Sequence, residues 1–363
     1  MDDLTTLRDL GRDLEHEPPA TLAHQRRRLL DTASGPRRTF RTARPLWTLR
    51  MTRGWAALGL AAAVTAAAAV AVPVVFRTYG FQAAVGDPSV TAPRGERPPG
   101  VEGTLDILFV GTDSEALSPR HRAGTGARSD TMLLIHLPAG RKKATVVSFP
   151  RDSIVRIPSC ETPDGKPVPA RTDMINSAYR EGGLNCAWKT VESLTGIRVD
   201  HAMETDFSGF AKLVDALGGV EVTLPRAVDD PKAKLRLPAG RQTLNGEAAL
   251  GYARARYSMG DGSDLMRVQR QQRLMGALVK KAEKLTGDPA KLAGFLTEAR
   301  KWVRTDPGFD AETMLAVAES LRTVGPGEVE FVTVPVHPHP ADRNRLQWDS
   351  RASERLFTGL REK

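Results

Sequence analysis

Leu105-Asp106-Ile107-Leu108-Phe109-Val110-Gly111-Thr112-Asp113 is the stretch whose reading decides the fold. A short apolar run closes on Gly111, the signal of a buried strand. Two similar runs follow at Met132–Leu137 and Thr145–Phe149. Farther on, Phe207, Phe210, Leu213, Val214 and Leu217 recur at helical spacing and share one face. Gly218-Gly219 ends that helix, and Val220–Leu224 alternates as a strand. A short helix is predicted over Asn245–Leu250, an alternating strand over Tyr252–Tyr257, a long helix over Leu265–Leu285 and a late strand over Phe331–Val336. Helices that alternate with apolar strands predict an α/β fold: a central mixed β-sheet flanked by helices on both faces.

Upstream of this region the chain changes character. Residues 54–76 carry no charge and read mostly as Ala and Val. A helix of that length spans a bilayer core of about 30 Å. The entry is crowded by Arg37, Arg38, Arg41, Arg44, Arg50 and Arg53, so the positive-inside rule puts the N-terminus in the cytoplasm. A signal peptide seldom has so long a leader, which favours a retained single-pass anchor in the cell membrane. The expected organisation is a basic cytoplasmic segment over 1–53, a transmembrane helix over 54–76 and a Pro/Gly-rich linker over 77–103. An extracytoplasmic domain over 104–363 follows, with its motifs in 104–285. The net charge of +9 suits nucleic acid, an anionic membrane or a phosphate-bearing substrate. Residues 1–53 show no folded base-reading module, so a nucleic acid is not expected as a partner.

The two cysteines, Cys160 and Cys186, both fall in the outer part. An oxidising compartment permits a disulfide between them, and two free thiols are the alternative. Neither lies in a Cys-x-x-Cys motif, which removes support for redox or zinc chemistry.

Four constellations carry chemical possibilities. Asp113 follows the first strand and Asp130 precedes the second. If those strands pair antiparallel, both carboxylates come to one end of the sheet and suit Mg²⁺ shared with substrate phosphates. As isolated residues, turn capping is their commoner role. Arg151-Asp152, after Phe149-Pro150, reads as a phosphate clamp with an orienting partner, or as a surface salt bridge. Arg254 and Arg256 share a face if their segment is a strand, and two adjacent guanidiniums need an anion between them. Arg267 and Gln271 share a helix face behind a Ser263 or Asp264 cap, where an anion is favoured. A calcium loop at Gly260–Asp264 is rejected because Gln272 stands where the closing carboxylate belongs.

Asp-Ile-Leu-Phe-Val-Gly-Thr-Asp, Arg-Ser-Asp-Thr-Met, Ser-Phe-Pro-Arg-Asp, Leu-Val-Asp-Ala-Leu-Gly-Gly-Val, Ala-Arg-Ala-Arg and Asp-x-x-Arg-x-Gln-Arg-Gln-Gln occur in this order. Each is weak alone. Together they resemble the LytR-CpsA-Psr family of cell wall phosphotransferases, in its actinobacterial form. The resemblance implies an apolar tunnel for a polyprenyl tail, with Arg and Asp residues holding a pyrophosphate at its mouth, usually with Mg²⁺. By motif it makes Asp113, Asp130, Arg151, Arg254 and Arg256 catalytic. Arg128, Asp152, Arg267 and Gln271 become substrate-binding, and Asp113 and Asp130 metal ligands. Family members often carry an Arg just after the first Asp. Here Ser114-Glu115-Ala116 follow, and Arg120 and Arg122 are candidates to replace it.

The implied activity is transfer of a phosphoglycan, a secondary wall polymer such as teichoic acid, from a polyprenyl-pyrophosphate carrier to peptidoglycan. A polyprenyl-pyrophosphate phosphatase and a lipid-binding envelope sensor or transcriptional attenuator are the alternatives. The first would use the same phosphate site.

Overall fold

The computed structural model describes residues 87, 89–113, 128–140, 142–255, 264–310, 313–314, 317, 324 and 326–362. The expected cytoplasmic segment and transmembrane helix lie outside these residues. Among the described residues no helix is long and apolar enough to cross a membrane.

The central sheet contains β1 (Leu105–Thr112), β2 (Ser129–Leu137), β3 (Ala144–Ser148), β4 (His201–Asp206), β5 (Arg304–Thr305) and β6 (Val329–Thr333). Their order across the sheet is β5-β4-β1-β2-β3-β6. β1 is antiparallel to β2 and parallel to β4, β2 is antiparallel to β3, and β3 is parallel to β6. The sheet is therefore mixed, and β1, β3, β4 and β6 all end at the same edge. Alternation along the strands decides the two faces. Leu108, Val110, Met132, Leu134 and Val147 pack with Trp188 and Val191 of α1 (Asn176–Thr195) and with Phe357 and Leu360 of α6 (Ser350–Arg361). On the other face, α2 (Phe207–Ala216) contacts β1 and β4. There α4 (Asp264–Thr286) is tied to β3 and β6 by Gln272, whose Nε2 donates to Ser148 Oγ and Thr333 Oγ1, each at 3.0 Å.

α1 is kinked at Gly183, where φ is 64° and ψ is −159°, values that cost a side-chain-bearing residue strain. Cys186 on this helix forms the disulfide with Cys160, with the Cα atoms 5.4 Å apart across a sequence separation of 26. Loop closure of that length stabilises a fold by about 3 kcal/mol. Reduction is therefore expected to lower the unfolding free energy by about 3 kcal/mol, and with it the urea midpoint, as read by fluorescence with and without reductant. Equal midpoints would contradict a constraining bridge.

A second core holds Val214, Val220, Leu244, Ala249, Tyr252 and Leu274. It joins α2, α4, the antiparallel pair Val220–Leu224 and Gly240–Leu244, and α3 (Gly246–Arg254). Here the expected strand over Tyr252–Tyr257 is corrected: its residues through Arg254 are helical. Asn245 caps α3 by accepting from Ala248 N at 2.9 Å, and an Ala-rich turn follows. Gly246, Ala249 and Tyr252 are buried at helical spacing. The apparent period of two in Tyr-Ala-Arg-Ala-Arg-Tyr was the tail of a helix followed by an extended Ala255. Gly246 is required by packing, because a Cβ there would sit 2.0 Å from Ala211 O. The expected late strand is shifted and shorter: β6 joins β3 from Val329 and stops before Pro335.

Asp87 and Ser89–Gly103, read above as part of a linker, lie against the domain. Val90 is buried. Arg97 donates to Glu192 at 2.6 Å and to Val199 O at 2.6 Å, and stacks over Trp188 with its Cζ 5.3 Å from the ring centroid.

At the sheet edge remote from the strand ends, Asp106 and His136 face each other across β1 and β2. Both are buried, with Oδ1 and Nδ1 2.9 Å apart. Burial raises the Asp106 carboxyl above its ordinary range, against the opposing pull of His136, and Asp200 adds to the rise. A raised folded-state value means stability that is present at low pH and lost as pH climbs through it. The melting-temperature advantage of the native chain over Asp106→Asn should therefore be largest at acid pH and shrink as pH rises. A difference that grows with pH would contradict this.

Candidate functional site

A cavity of about 270 Å³ opens at the edge where β1, β3 and β4 end. This is the edge at which open α/β sheets gather their ligands. Its lining divides by chemistry into an apolar set, Phe109 of β1, Phe207 and Phe210 of α2, Leu250 of α3, and Leu274 and Met275 of α4, and a polar set. The polar set holds Arg151, Arg254, Arg267 and Lys232, with Asp130 and Gln271 beside them. An amphiphile with an anionic head matches that division, because each part would meet its like.

Each expected residue can be placed. Asp130, on the second residue of β2, forms an ion pair with Arg151, from Nη1 to Oδ1. Arg151 stands in the turn that follows β3, where Ser153 N donates to Pro150 O at 3.1 Å. Arg254 is the last residue of α3, where a cation favours the helix dipole. Its guanidinium lies over the Phe207 ring, 4.6 Å from the centroid. Arg267 and Gln271 project together into the cavity from the first turns of α4, as their spacing predicts, and Arg267 is 4% exposed.

Three expected residues stand back from the cavity. Asp113 is exposed beyond the end of β1, and its Oδ1 accepts from Arg128 N at 2.7 Å. One of its oxygens thus plays the turn-closing role, with Arg128 exposed beside it. Asp152 lies behind Arg151, with Oδ2 3.7 Å from Arg151 Nε. Arg256, Ser263, Arg120 and Arg122 lie outside the described residues. The antiparallel register of β1 and β2, with Thr112 opposite Ser129, does bring Asp113 and Asp130 to one end.

Beneath the cavity floor runs a buried polar chain that sequence reading missed. Arg304 pairs with Glu204 through Nη2 and lies 3.6 Å from Asp87. Glu204 meets the Tyr179 hydroxyl, which also hydrogen-bonds Thr112, a cavity residue. Burial pushes the Glu204 carboxyl up, opposed by Arg304. Burial, reinforced by Glu204, pushes the Tyr179 phenol up. Sequence gave these residues no signal, since each sits alone in an apolar or polar run. Lys232 was also missed, although Asp230-Pro231 is a helix-start pair. Asp230 caps the short 3-10 turn that carries the lysine, accepting from Ala233 N at 3.1 Å.

Asp113 and Asp130 suit a particular kind of metal site. Among the described residues no group of three or more His, Cys, Asp or Glu is placed to hold an ion. Mg²⁺ needs only one or two carboxylates when phosphates supply other oxygens. Asp130 lines the cavity and Asp113 stands outside it at the same strand edge, a donor set of that size in which one oxygen of each is already engaged, by Arg151 and by Arg128 N.

Sheet and cavity thus define an α/β protein with a partly apolar, partly cationic cavity at the strand ends. A family model described as the LytR_cpsA_psr family matches residues 86–358, and the chain belongs to this family. It is similar to the cell wall biosynthesis protein LcpA of Corynebacterium glutamicum, with 33% identity over 65% of this chain and 50% of that protein. It is also similar to the polyisoprenyl-teichoic acid–peptidoglycan teichoic acid transferase TagT of Bacillus subtilis, with 33% identity over 52% of this chain and 55% of that protein. The chain spans about half the length of these two relatives. The solved LytR-Csp2A-Psr enzyme from Actinomyces oris shares the fold, with a TM-score of 0.57 and 22% identity, covering 74% of this chain and 95% of that one.

Proposed function

We propose that this protein is a phosphotransferase that moves a phosphoglycan from a polyprenyl-pyrophosphate carrier onto peptidoglycan. We place it on a single-pass anchor over residues 54–76, with the described domain outside the cytoplasm. The observation that carries the reading is the cavity, which is lined both by apolar side chains and by Arg151, Arg254, Arg267 and Lys232. Membership of a family that includes a named teichoic acid transferase supports the acceptor and donor classes.

In this reading the prenyl tail lies among Phe109, Phe207, Phe210 and Leu274, and the pyrophosphate meets the guanidiniums. The acceptor hydroxyl attacks the phosphorus that bears the glycan. The bond from that phosphorus to the bridging oxygen breaks, and polyprenyl phosphate leaves. The hydroxyl proton passes to a carboxylate at this edge, Asp113, Asp130 or Asp152, of which Asp130 lines the cavity. Arg151, Arg254 and Arg267 stabilise the charge that spreads over the transferring group, and Gln271 orients one of its oxygens. Asp113 and Asp130 would hold Mg²⁺, which when bound supplies further neutralisation of the pyrophosphate.

The division of the cavity can be tested by binding alone. The full chain in lipid nanodiscs, with Mg²⁺, should bind geranyl pyrophosphate at least about 100-fold more tightly than inorganic pyrophosphate. Each buried methylene contributes about 0.8 kcal/mol. Equal affinities would leave the apolar interior without a role and overturn the reading.

A further inference from the structure

Asp152 is held from two sides, and one of its partners comes from a distant part of the chain. The C-terminal strands Val336–His339 and Asp342–Trp348 form an antiparallel hairpin. This hairpin docks on the turn after β3. Leu346 N donates to Asp152 O at 3.1 Å, Leu346 bridges to Ser153, and Trp348 stacks on Phe149 with centroids 5.9 Å apart. The docking brings Arg345 Nη1 to 3.8 Å from Asp152 Oδ1, while Arg345 Nε is 3.7 Å from Asp342 Oδ2. With Arg151 between Asp152 and Asp130, five charges alternate in sign from the hairpin into the cavity: Asp342, Arg345, Asp152, Arg151, Asp130.

We propose that Arg345 is a positioning residue for the Arg151 phosphate clamp, acting through Asp152. Arg151 lines the cavity while shared between two carboxylates, closely paired with Asp130 and at 3.7 Å from Asp152. The pull of Asp152 on Arg151 depends on how far Asp152 is already neutralised. Arg345 supplies that neutralisation from behind and keeps Asp152 turned towards the hairpin. Without Arg345, Asp152 draws Arg151 back, and an anion at the mouth loses its bidentate partner. The inference rests on the reading of Arg151 as a phosphate clamp.

The experiment is a double-mutant cycle on transfer by the full chain, with kcat and KM for the lipid-linked donor measured separately. Arg345→Ala is expected to lower kcat/KM about tenfold, mainly through KM, with an unchanged melting temperature and partial rescue by Arg345→Lys. In the Asp152→Asn background the same substitution is expected to have no effect, because the charge it balances is gone. No loss from Arg345→Ala, an equal loss in both backgrounds, or a loss that follows melting temperature would overturn the proposal. Arg151→Ala serves as the separate control. If it leaves transfer intact, the clamp itself is refuted; if it abolishes transfer while Arg345 proves silent, only the positioning role falls.

Discussion

Arg254→Ala is expected to lower kcat/KM for glycan transfer by about 10²–10³-fold, the usual cost of removing one aimed charge from a phosphoryl-transfer site. The substitution is informative because Arg254 is exposed and ends its helix, so the fold loses little. Its contact with Phe207 is a cation–π interaction at the surface, contributing about 0.5–1 kcal/mol. Melting temperature should therefore barely move while turnover collapses. Arg254→Lys keeps the charge but loses the planar fork, and should fall between the two. Steady-state kinetics with a lipid-linked donor, beside thermal unfolding of the same preparations, checks both halves. Unchanged turnover would remove Arg254 from the machinery.

The second large effect is on stability. Glu204→Ala should destabilise the fold by about 3 kcal/mol, because it leaves Arg304 only the longer pairing with Asp87 and the Tyr179 hydroxyl only Thr112. That is a large share of the roughly 5–15 kcal/mol that holds a domain together. Glu204→Gln retains an acceptor for Tyr179 and should cost less. Urea titration of the three chains provides the measurement. A loss below about 1 kcal/mol for Glu204→Ala would mean that solvent reaches the network and that the pair contributes as a surface bridge does. Thr112 joins the network to the cavity, so these variants should also disturb the site's floor.

The sheet was legible because β1, β2 and β3 are buried strands whose apolar runs end on Gly111, Leu137 and Phe149. Helices α2 and α4 were legible from their spacing. Helix α1 was not, although at 20 residues it is among the long helices. Gly182-Gly183 interrupts it, and it buries Asn176, Ser177, Thr190 and Glu192, so no apolar stripe marks its face. The strand drawn through Arg254 failed for the opposite reason: small Ala residues alternate with large ones in a helix tail as readily as in a strand. In the site, Asp130, Arg151, Arg254, Arg267 and Gln271, drawn from motifs in order, line one cavity. Glu204, Arg304 and Arg345 come from segments without a pattern. Only the pairing of distant strands and the docking of the C-terminal hairpin put them near the cavity.

The most direct test of the account uses the full chain with Mg²⁺, a polyprenyl-pyrophosphate glycan labelled on its sugar, and nascent peptidoglycan strands. A transferase leaves label covalently joined to peptidoglycan, releases polyprenyl phosphate in equal amount, and loses both with Arg254→Ala. Label released only as free glycan phosphate, at the same rate with and without peptidoglycan, would contradict a transferase and make the protein a phosphatase.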